Sequence, residues 1–493
     1  MFWMLKTIIL GPFILMFAIF GEGWRIWRIM LAFYKNMLKK KSNTHGDAEF
    51  AGVKQLKGRG HYKAGGWLVG IHGGKRLYTS SESSALTMAP KGSGKTQTAI
   101  AQLREIATRQ SKPDVVVFDP AGDIRAGTRE WYESRGYRVI QYDFVNPRES
   151  DFYDPLTYPK AHDVFNFDRQ VAQMCRLILP DDRHSREDHF QDFARLLVAG
   201  TLSFLMVERK GDATLYNAVH YLTANKHQRN RMFAEMEKCS SPLAQQAVNA
   251  FSEAGDKERG SFSTTLARKL NVWLRQGVRH LTESGEITAD GNRERGISWE
   301  DIYLGDQPTI VYIVSGLGTG EGEVARLILG NAINTRRALW NVMRKKPARD
   351  LRILVDESRE IGNCEAIMDA NNELRKAGVT VMMYWLSMTD LMDTYPQAKT
   401  LVNNSDLIVF GGGKDMTFYE DVSRLAGEKT IENPGYSESE HGYSESRSEQ
   451  GQRLVKADAL RRMPYEDEVV ILDNMAVKAR KPFRRKPGGV EYL

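Results

Sequence analysis

Apolar and polar positions fall in blocks along this chain, and the period of the blocks changes. Short runs rich in β-branched and apolar residues stand at Ser84–Met88, Val115–Phe118, Arg138–Tyr142, Pro308–Val314, Leu351–Val355, Val379–Trp385, Asp406–Phe410 and Glu468–Leu472. Most are flanked by Gly, Pro or Asp, the pattern of a strand buried on both faces. Between them lie helical stretches such as the one predicted from about Thr96 to Arg109. Strands alternating with helices predict a parallel sheet covered on both sides. From about Val164 to Val278 the strand signals nearly vanish. Segments such as RQVAQMCRLIL and DFARLLVAGTLSFLMVE space their apolar residues by three and four, the helical period. The pattern therefore predicts an α/β domain, residues 42–163 and 291–493, interrupted by an all-α domain, residues 164–290.

The start of the chain departs from this pattern. Residues 2–20, FWMLKTIILGPFILMFAIF, carry one charge, Lys6. With Lys6 snorkelling, the stretch is just long enough to cross a hydrocarbon core of about 30 Å. A secretory signal peptide is the rival reading, but Gly21-Glu22-Gly23 makes a poor cleavage site. Next, WRIWRIMLAFYKNMLKKK (24–41) alternates Arg and Trp with Ile, Met and Leu at helical spacing. That predicts a helix in the headgroup layer, an irregular second span, or a docking helix on a partner. Lys35 and Lys39–Lys41 close it. Positive charge is retained on the cytoplasmic side, so residues 42–493 are expected in the cytoplasm, with 1–41 as the membrane anchor.

Composition narrows the class. The chain of 493 residues exceeds a single typical domain. Hydrophobic residues make up 42% and charged residues 27%, which excludes disordered and fibrous classes. A mean hydropathy of −0.45 excludes a polytopic membrane protein. The net charge of +7 permits contact with nucleic acid or anionic lipid without requiring it. Cys175, Cys239 and Cys364 are widely spaced and odd in number, so neither a disulfide framework nor a zinc knuckle can be built from them. Residues 432–452, ENPGYSESEHGYSESRSEQGQ, are nearly free of aliphatic side chains and are expected to form a mobile loop. The tail carries Lys478, Arg480, Lys481, Arg484, Arg485 and Lys486, expected as a solvated surface or an anion-binding run.

The strongest chemical signal is Ala89-Pro90-Lys91-Gly92-Ser93-Gly94-Lys95-Thr96. Binding phosphates with backbone amides needs glycines, a lysine for the β and γ oxygens, and a hydroxyl for Mg²⁺. Gly92, Gly94, Lys95 and Thr96 supply these, with Ala89 in place of the usual first glycine. The strand before and helix after fit a phosphate loop for a nucleotide. A second element, Leu351–Val355 followed by Asp356-Glu357, ends an apolar strand in two acids. Asp356 is the expected metal ligand, and Glu357 the residue that orients or deprotonates the attacking water. Val115–Phe118 followed by Asp119 competes for the metal role but has one acid.

In this order the motifs resemble the type IV coupling proteins, the TraG/TraD-like conjugative DNA-transfer ATPases of bacterial type IV secretion systems. His45-Gly-Asp-Ala-Glu-Phe-Ala51 is similar to the family's motif after the membrane segment, and Val117-Phe-Asp-Pro-Ala-Gly-Asp123 to its "DPKGE" element. Tyr137–Asp143 and Asp151–Leu156 match its next strand and "YNPL" turn, Val355–Gly362 its acidic strand and Leu374–Gly378 its "GRKAG" stretch. Leu460-Arg-Arg-Met-Pro464 is similar to the approach to its last strands.

The resemblance implies a membrane-anchored RecA-like P-loop NTPase working as a ring, usually a hexamer. Its all-α domain receives relaxase–DNA complexes or effector proteins for the secretion channel. Arg375 takes the place of an arginine that reaches the neighbouring subunit's nucleotide. Single-stranded DNA is a further candidate partner, with Arg268, Lys269, Arg275 and Trp273 as candidate contacts, or equally a docking face or core. Two departures stand out: Leu386 replaces a glutamine, and Ala121 replaces the lysine of "DPKGE". A receptor or scaffold with a degenerate nucleotide site is the alternative. A chromosome-partition DNA pump of the FtsK type fits the large helical insertion less well.

Overall fold

Both faces of each short apolar run find cover, and the runs become strands. In chain order these are β1 (Leu68–His72), β2 (Lys75–Tyr78), β3 (Ser84–Met88), β4 (Asp114–Phe118), β5 (Arg138–Asp143), β6 (Thr309–Val314), β7 (Leu351–Val355), β8 (Val379–Trp385), β9 (Ser405–Phe410), β10 (Glu428–Ser439), β11 (Gly442–Arg453), β12 (Asp467–Leu472), β13 (Met475–Arg480), β14 (Phe483–Lys486) and β15 (Gly489–Tyr492). This computed structural model describes residues 44–181, 188–283, 296–439 and 442–493, with Met30, Leu31, Tyr34 and Ala289. The expected span at 2–20 lies outside the described residues, as does all but three residues of the stretch 24–41. Two compact units divide the chain: Glu49–Ala426 with Val455–Leu493, and the segment ending at Ala48 with Gly427–Leu454.

In the larger unit, eleven strands form one sheet in the order β2-β1-β13-β12-β9-β3-β8-β7-β4-β6-β5. From β9 to β5 the strands run parallel. From β12 to β2 they run antiparallel. Val115, Val117, Ile310, Tyr312, Leu354, Met382 and Ile408 form a core with Ile100, Leu103 and Ile106 of the helix Lys95–Ala107 and Ile124 and Tyr132 of the helix Asp123–Glu133. Register decides where the chemistry goes. Met88 pairs with Trp385, Val355 with Met383, and Phe118 with Val355. The residues that follow, Ala89, Leu386, Asp356 and Asp119, therefore leave the sheet along one rim. Ligands of open α/β sheets bind outside this carboxyl edge.

Adjacent parallel strands β5 and β6 are joined by the whole helical segment. Among the described residues between them there is no strand; the long helices are Phe167–Ile178, Asp188–Glu208, Leu215–Thr223, Lys226–Met236, Pro242–Glu253 and Asp256–Lys269. This segment and the sheet belong to the same compact unit. Phe190–Glu208 is the one described helix long and apolar enough to cross a membrane, and it is largely buried within the protein. Its Gly200 lies so close to the helix Pro242–Glu253 that an added Cβ would stand 2.5 Å from the Ala247 Cβ. It is the core helix of the segment.

The smaller unit corrects the expectation of a loop at 432–452. β10 and β11 pair antiparallel from Glu428 with Arg453 to Ser439 with Gly442. Low apolar content argues against burial, but a ladder of backbone hydrogen bonds does not need it. Within this unit His45 and Ala48 brace the hairpin: the His45 N–H donates to Thr430 Oγ1 at 3.0 Å and the Ala48 N–H to the Glu428 carbonyl at 2.9 Å. The basic tail is a second correction. Instead of a wholly solvated run it supplies β13 and the β14–β15 hairpin, with Lys481 and Phe483 buried.

Candidate nucleotide site

The phosphate loop springs from the end of β3. Its first residue, Ala89, is buried and its N–H donates to the Trp385 carbonyl at 2.9 Å, so the loop starts as a continuation of the ladder. The Ser93 hydroxyl closes the turn on the Pro90 carbonyl at 2.6 Å. Pro90 is half-buried and Lys91 exposed. Gly92 and Gly94 have φ of +75° and +99°, the region that glycine adopts without strain. Gly94 is doubly required: a Cβ there would lie 2.7 Å from Phe483 Cζ. The helix Lys95–Ala107 begins at the next residue, and its first amides face the loop with the positive end of the helix dipole. Thr96 is half-buried in that first turn.

On the same rim, β7 delivers Asp356 and Glu357. Glu357 Oε1 accepts a hydrogen bond from Lys95 Nζ at 2.7 Å. Lys95 is only 8% exposed, so the carboxylate neutralises an ammonium that would otherwise be buried alone. Glu357 has a φ of +44°, an uncommon conformation for a residue with a side chain and one that clusters at functional sites. Asp356 is buried, and its Oδ1 has no hydrogen-bond partner. Burial pushes its carboxyl up to about 7; the Glu357 and Asp119 charges add to the rise and Lys95 opposes it.

Asp119 is accounted for differently. Its Oδ1 and Oδ2 accept from the backbone N–H groups of Gly122 (3.0 Å) and Arg125 (2.7 Å), so it caps the helix Asp123–Glu133. That leaves Asp356 as the acid with an unused oxygen. Orphaned Asp356 Oδ1, the Thr96 hydroxyl and the Lys95 ammonium fit the donor set that a Mg²⁺-bound phosphate requires.

Not every predicted residue joins the site. Arg375 lies on the short turn before β8, at the opposite end of the sheet from the loop. β3 alone separates these ends by roughly 17 Å at about 3.3 Å per residue. Arg375 is exposed and pairs with Glu82 at 3.2 Å. Leu386, by contrast, stands at the rim between Ala89 and Asp356 and is 40% exposed. Trp273 is fully buried and cannot stack on a base, which removes it as a DNA contact; Arg275 is engaged by the Thr319 carbonyl and Glu321.

Sequence reasoning missed the tail's share of the site. Lys481 Nζ donates to the Ser93 carbonyl at 2.7 Å, and Phe483 packs against Gly94. The signal available was Pro482-Phe483, an apolar interruption inside a basic run.

With this geometry in place, a profile of the family described as "Type IV secretory system Conjugative DNA transfer" matches residues 32–484. The chain belongs to that family. Among curated members, it is 21% identical over 375 residues to the type IV secretion system-coupling protein VirD4 of Bartonella quintana (strain Toulouse), covering 73% of this chain. Identity to VirD4 of Bartonella henselae (strain Houston 1) is 19% over the same length. The chain spans 56% of the length of each of these relatives. Among solved structures, the unbound bacterial conjugative coupling protein TrwBdeltaN70 aligns with a TM-score of 0.63 at 19% identity, over 89% of this chain and 96% of that one. The plasmid coupling protein TrwB in complex with ADP and Mg²⁺ aligns with a TM-score of 0.63 at 18% identity, over 90% and 96%. These likenesses establish the RecA-like coupling-protein fold with its inserted helices. In sequence this family member is similar to VirD4, and in fold to TrwB.

Proposed function

We propose that this coupling protein binds ATP with Mg²⁺ at the loop Ala89–Thr96 and hydrolyses it to deliver cargo to a type IV secretion channel. The observation that carries this reading is the 2.7 Å pair of Lys95 with Glu357 beside the unpartnered Asp356 Oδ1. Loop amides and Lys95 would hold the phosphates; Thr96 and Asp356 would hold Mg²⁺, which supplies neutralising charge at the phosphate oxygens when bound. With Lys95 turned to the phosphates, Glu357 would be free to orient or deprotonate water. The remaining roles follow the family. Residues 1–41 anchor the chain in the inner membrane and the rest is cytoplasmic. Subunits form a hexameric ring, and Arg375, remote from its own subunit's loop, serves the neighbour's nucleotide. The helical segment 164–290 receives relaxase–DNA or effector cargo, with single-stranded DNA as a further ligand.

A second reading is a receptor with little turnover. Leu386 favours it, because an alkyl side chain on the rim between loop and acids can neither bind a phosphate nor hold a water. Lys95→Ala tests both. The first reading expects ATP turnover to fall by roughly two orders of magnitude and transfer to cease, since the site acts by charge stabilisation. Full transfer by Lys95→Ala would support the second.

A further inference from the structure

One lysine of the basic tail is not on the surface. Lys481 follows β13 and is 1% exposed. Its Nζ donates to the Ser93 carbonyl at 2.7 Å and to the Tyr465 carbonyl at 2.5 Å. The ammonium also lies 4.2 Å from the ring centre of Phe410 and 4.4 Å from that of Tyr465, within cation–π range. Phe410 ends β9, the strand beside β3, so the charge is clamped between the sheet's rim and the loop. Two residues on, Phe483 packs against Gly94 and meets Tyr465 edge-on at 6.2 Å. Farther along, the Tyr492 hydroxyl donates to Gln97 Oε1 at 2.7 Å, and the Arg104 guanidinium lies 4.5 Å from the Tyr492 ring centre. The last residues of the chain therefore strap the phosphate loop and the helix that follows it.

A buried ammonium is costly, and an apolar side chain could fill the same space. The charge is kept where it touches the loop. The charge of buried Glu468 attracts it, but neither Glu468 oxygen makes a hydrogen bond, so the hydrogen bonds the ammonium makes go to the Ser93 and Tyr465 carbonyls. A trans peptide plane is rigid, with its carbonyl and the next N–H pointing opposite ways. Holding the Ser93 carbonyl therefore aims the Gly94 N–H away from Lys481.

We propose that Lys481 is a positioning residue for nucleotide binding: it fixes the Ser93–Gly94 peptide so that the loop's amide faces the phosphates. This inference rests on the nucleotide reading above and adds the tail to its machinery. The test uses the full chain in detergent, with calorimetric titration of ADP and of a non-hydrolysable ATP analogue, each with Mg²⁺. Losing a charge-assisted bond to the loop is expected to weaken both ligands by roughly tenfold or more in Lys481→Met. Hydrogen exchange in peptides covering 90–96 should quicken, while those covering 351–355 and 379–385 stay as in the wild type. A residue that merely filled space would slow or speed all of these together. If Lys481→Met does not fold, Lys481→Gln carries the same expectation, since its shorter donor cannot reach Ser93. Affinities within twofold of wild type, with unchanged exchange at 90–96, overturn the proposal. Should the wild type bind neither nucleotide, the nucleotide reading fails instead, and loop exchange still decides whether Lys481 holds the loop.

Discussion

Asp356 is the residue whose environment says most about the site. Its neighbour Glu357 spends its charge on Lys95, and Asp119 spends its oxygens on a helix cap. Asp356 keeps one oxygen free in a buried place that raises its carboxyl to about 7. The sign of the consequence is fixed: above that value the carboxylate is ionised and able to hold a cation, and below it a proton competes. Mg²⁺-dependent nucleotide affinity should therefore weaken by roughly tenfold per pH unit as the pH falls below 7. Titrations of Mg-ADP between pH 5.5 and 8 check this, and a flat profile counts against Asp356 as a metal ligand. Lys95, Thr96, Asp356 and Glu357 were legible in the sequence because a phosphate loop and an acid-ended strand are local patterns. Lys481 was not, because its value depends on a fold-back from the far end of the chain. Trp273 was open between a stacking platform, a docking face and core for a related reason, and its burial decides for core.

At the scale of elements, the site depends on a turn. Ser358–Ile361 leads away from Glu357, and the helix Gly322–Met343 presses on it. Gly322 is so close that an added Cβ would stand 2.0 Å from the Glu360 carbonyl oxygen, a backbone atom that cannot swing aside. Arg326, one turn on, donates to Ile361 and to Leu177 at the end of the helix Phe167–Ile178, tying the acidic turn to the first helix of the inserted segment. Gly322→Ala should cost about 1–3 kcal/mol by overpacking. It should also lower turnover more than it lowers nucleotide affinity, because the displaced group is the turn that carries Glu357. Denaturant unfolding alongside steady-state kinetics reads both, and unchanged stability would contradict the close packing. The parallel strands were legible since burial on both faces writes a continuous apolar run. β10 and β11 were not, because polar strands paired mainly to each other carry no such mark. β13 and β14 were hidden by charged residues on the exposed sides of antiparallel strands.

Across the whole molecule, the helical segment sits inside a single crossover between β5 and β6, so the strand order of the nucleotide fold survives the insertion. The sequence showed that interruption as a change of hydrophobic period, from runs to three-and-four spacing. It could not show that the segment and the sheet share one compact unit, nor that Thr44–Ala48 joins the hairpin Glu428–Arg453, since both depend on contacts between distant stretches. The family match over residues 32–484 places the chain among the type IV secretory system conjugative DNA-transfer proteins; what it leaves to experiment is whether the loop at Ala89–Thr96 drives transfer. Glu357→Gln addresses that most directly, because it removes the proposed base while keeping the side chain's size. Turnover of Mg-ATP and cargo transfer should be measured for the same variant, together with nucleotide affinity. The account predicts affinity equal to or tighter than wild type, turnover reduced by at least about 100-fold, and transfer lost. Turnover and transfer at wild-type levels in Glu357→Gln would contradict it.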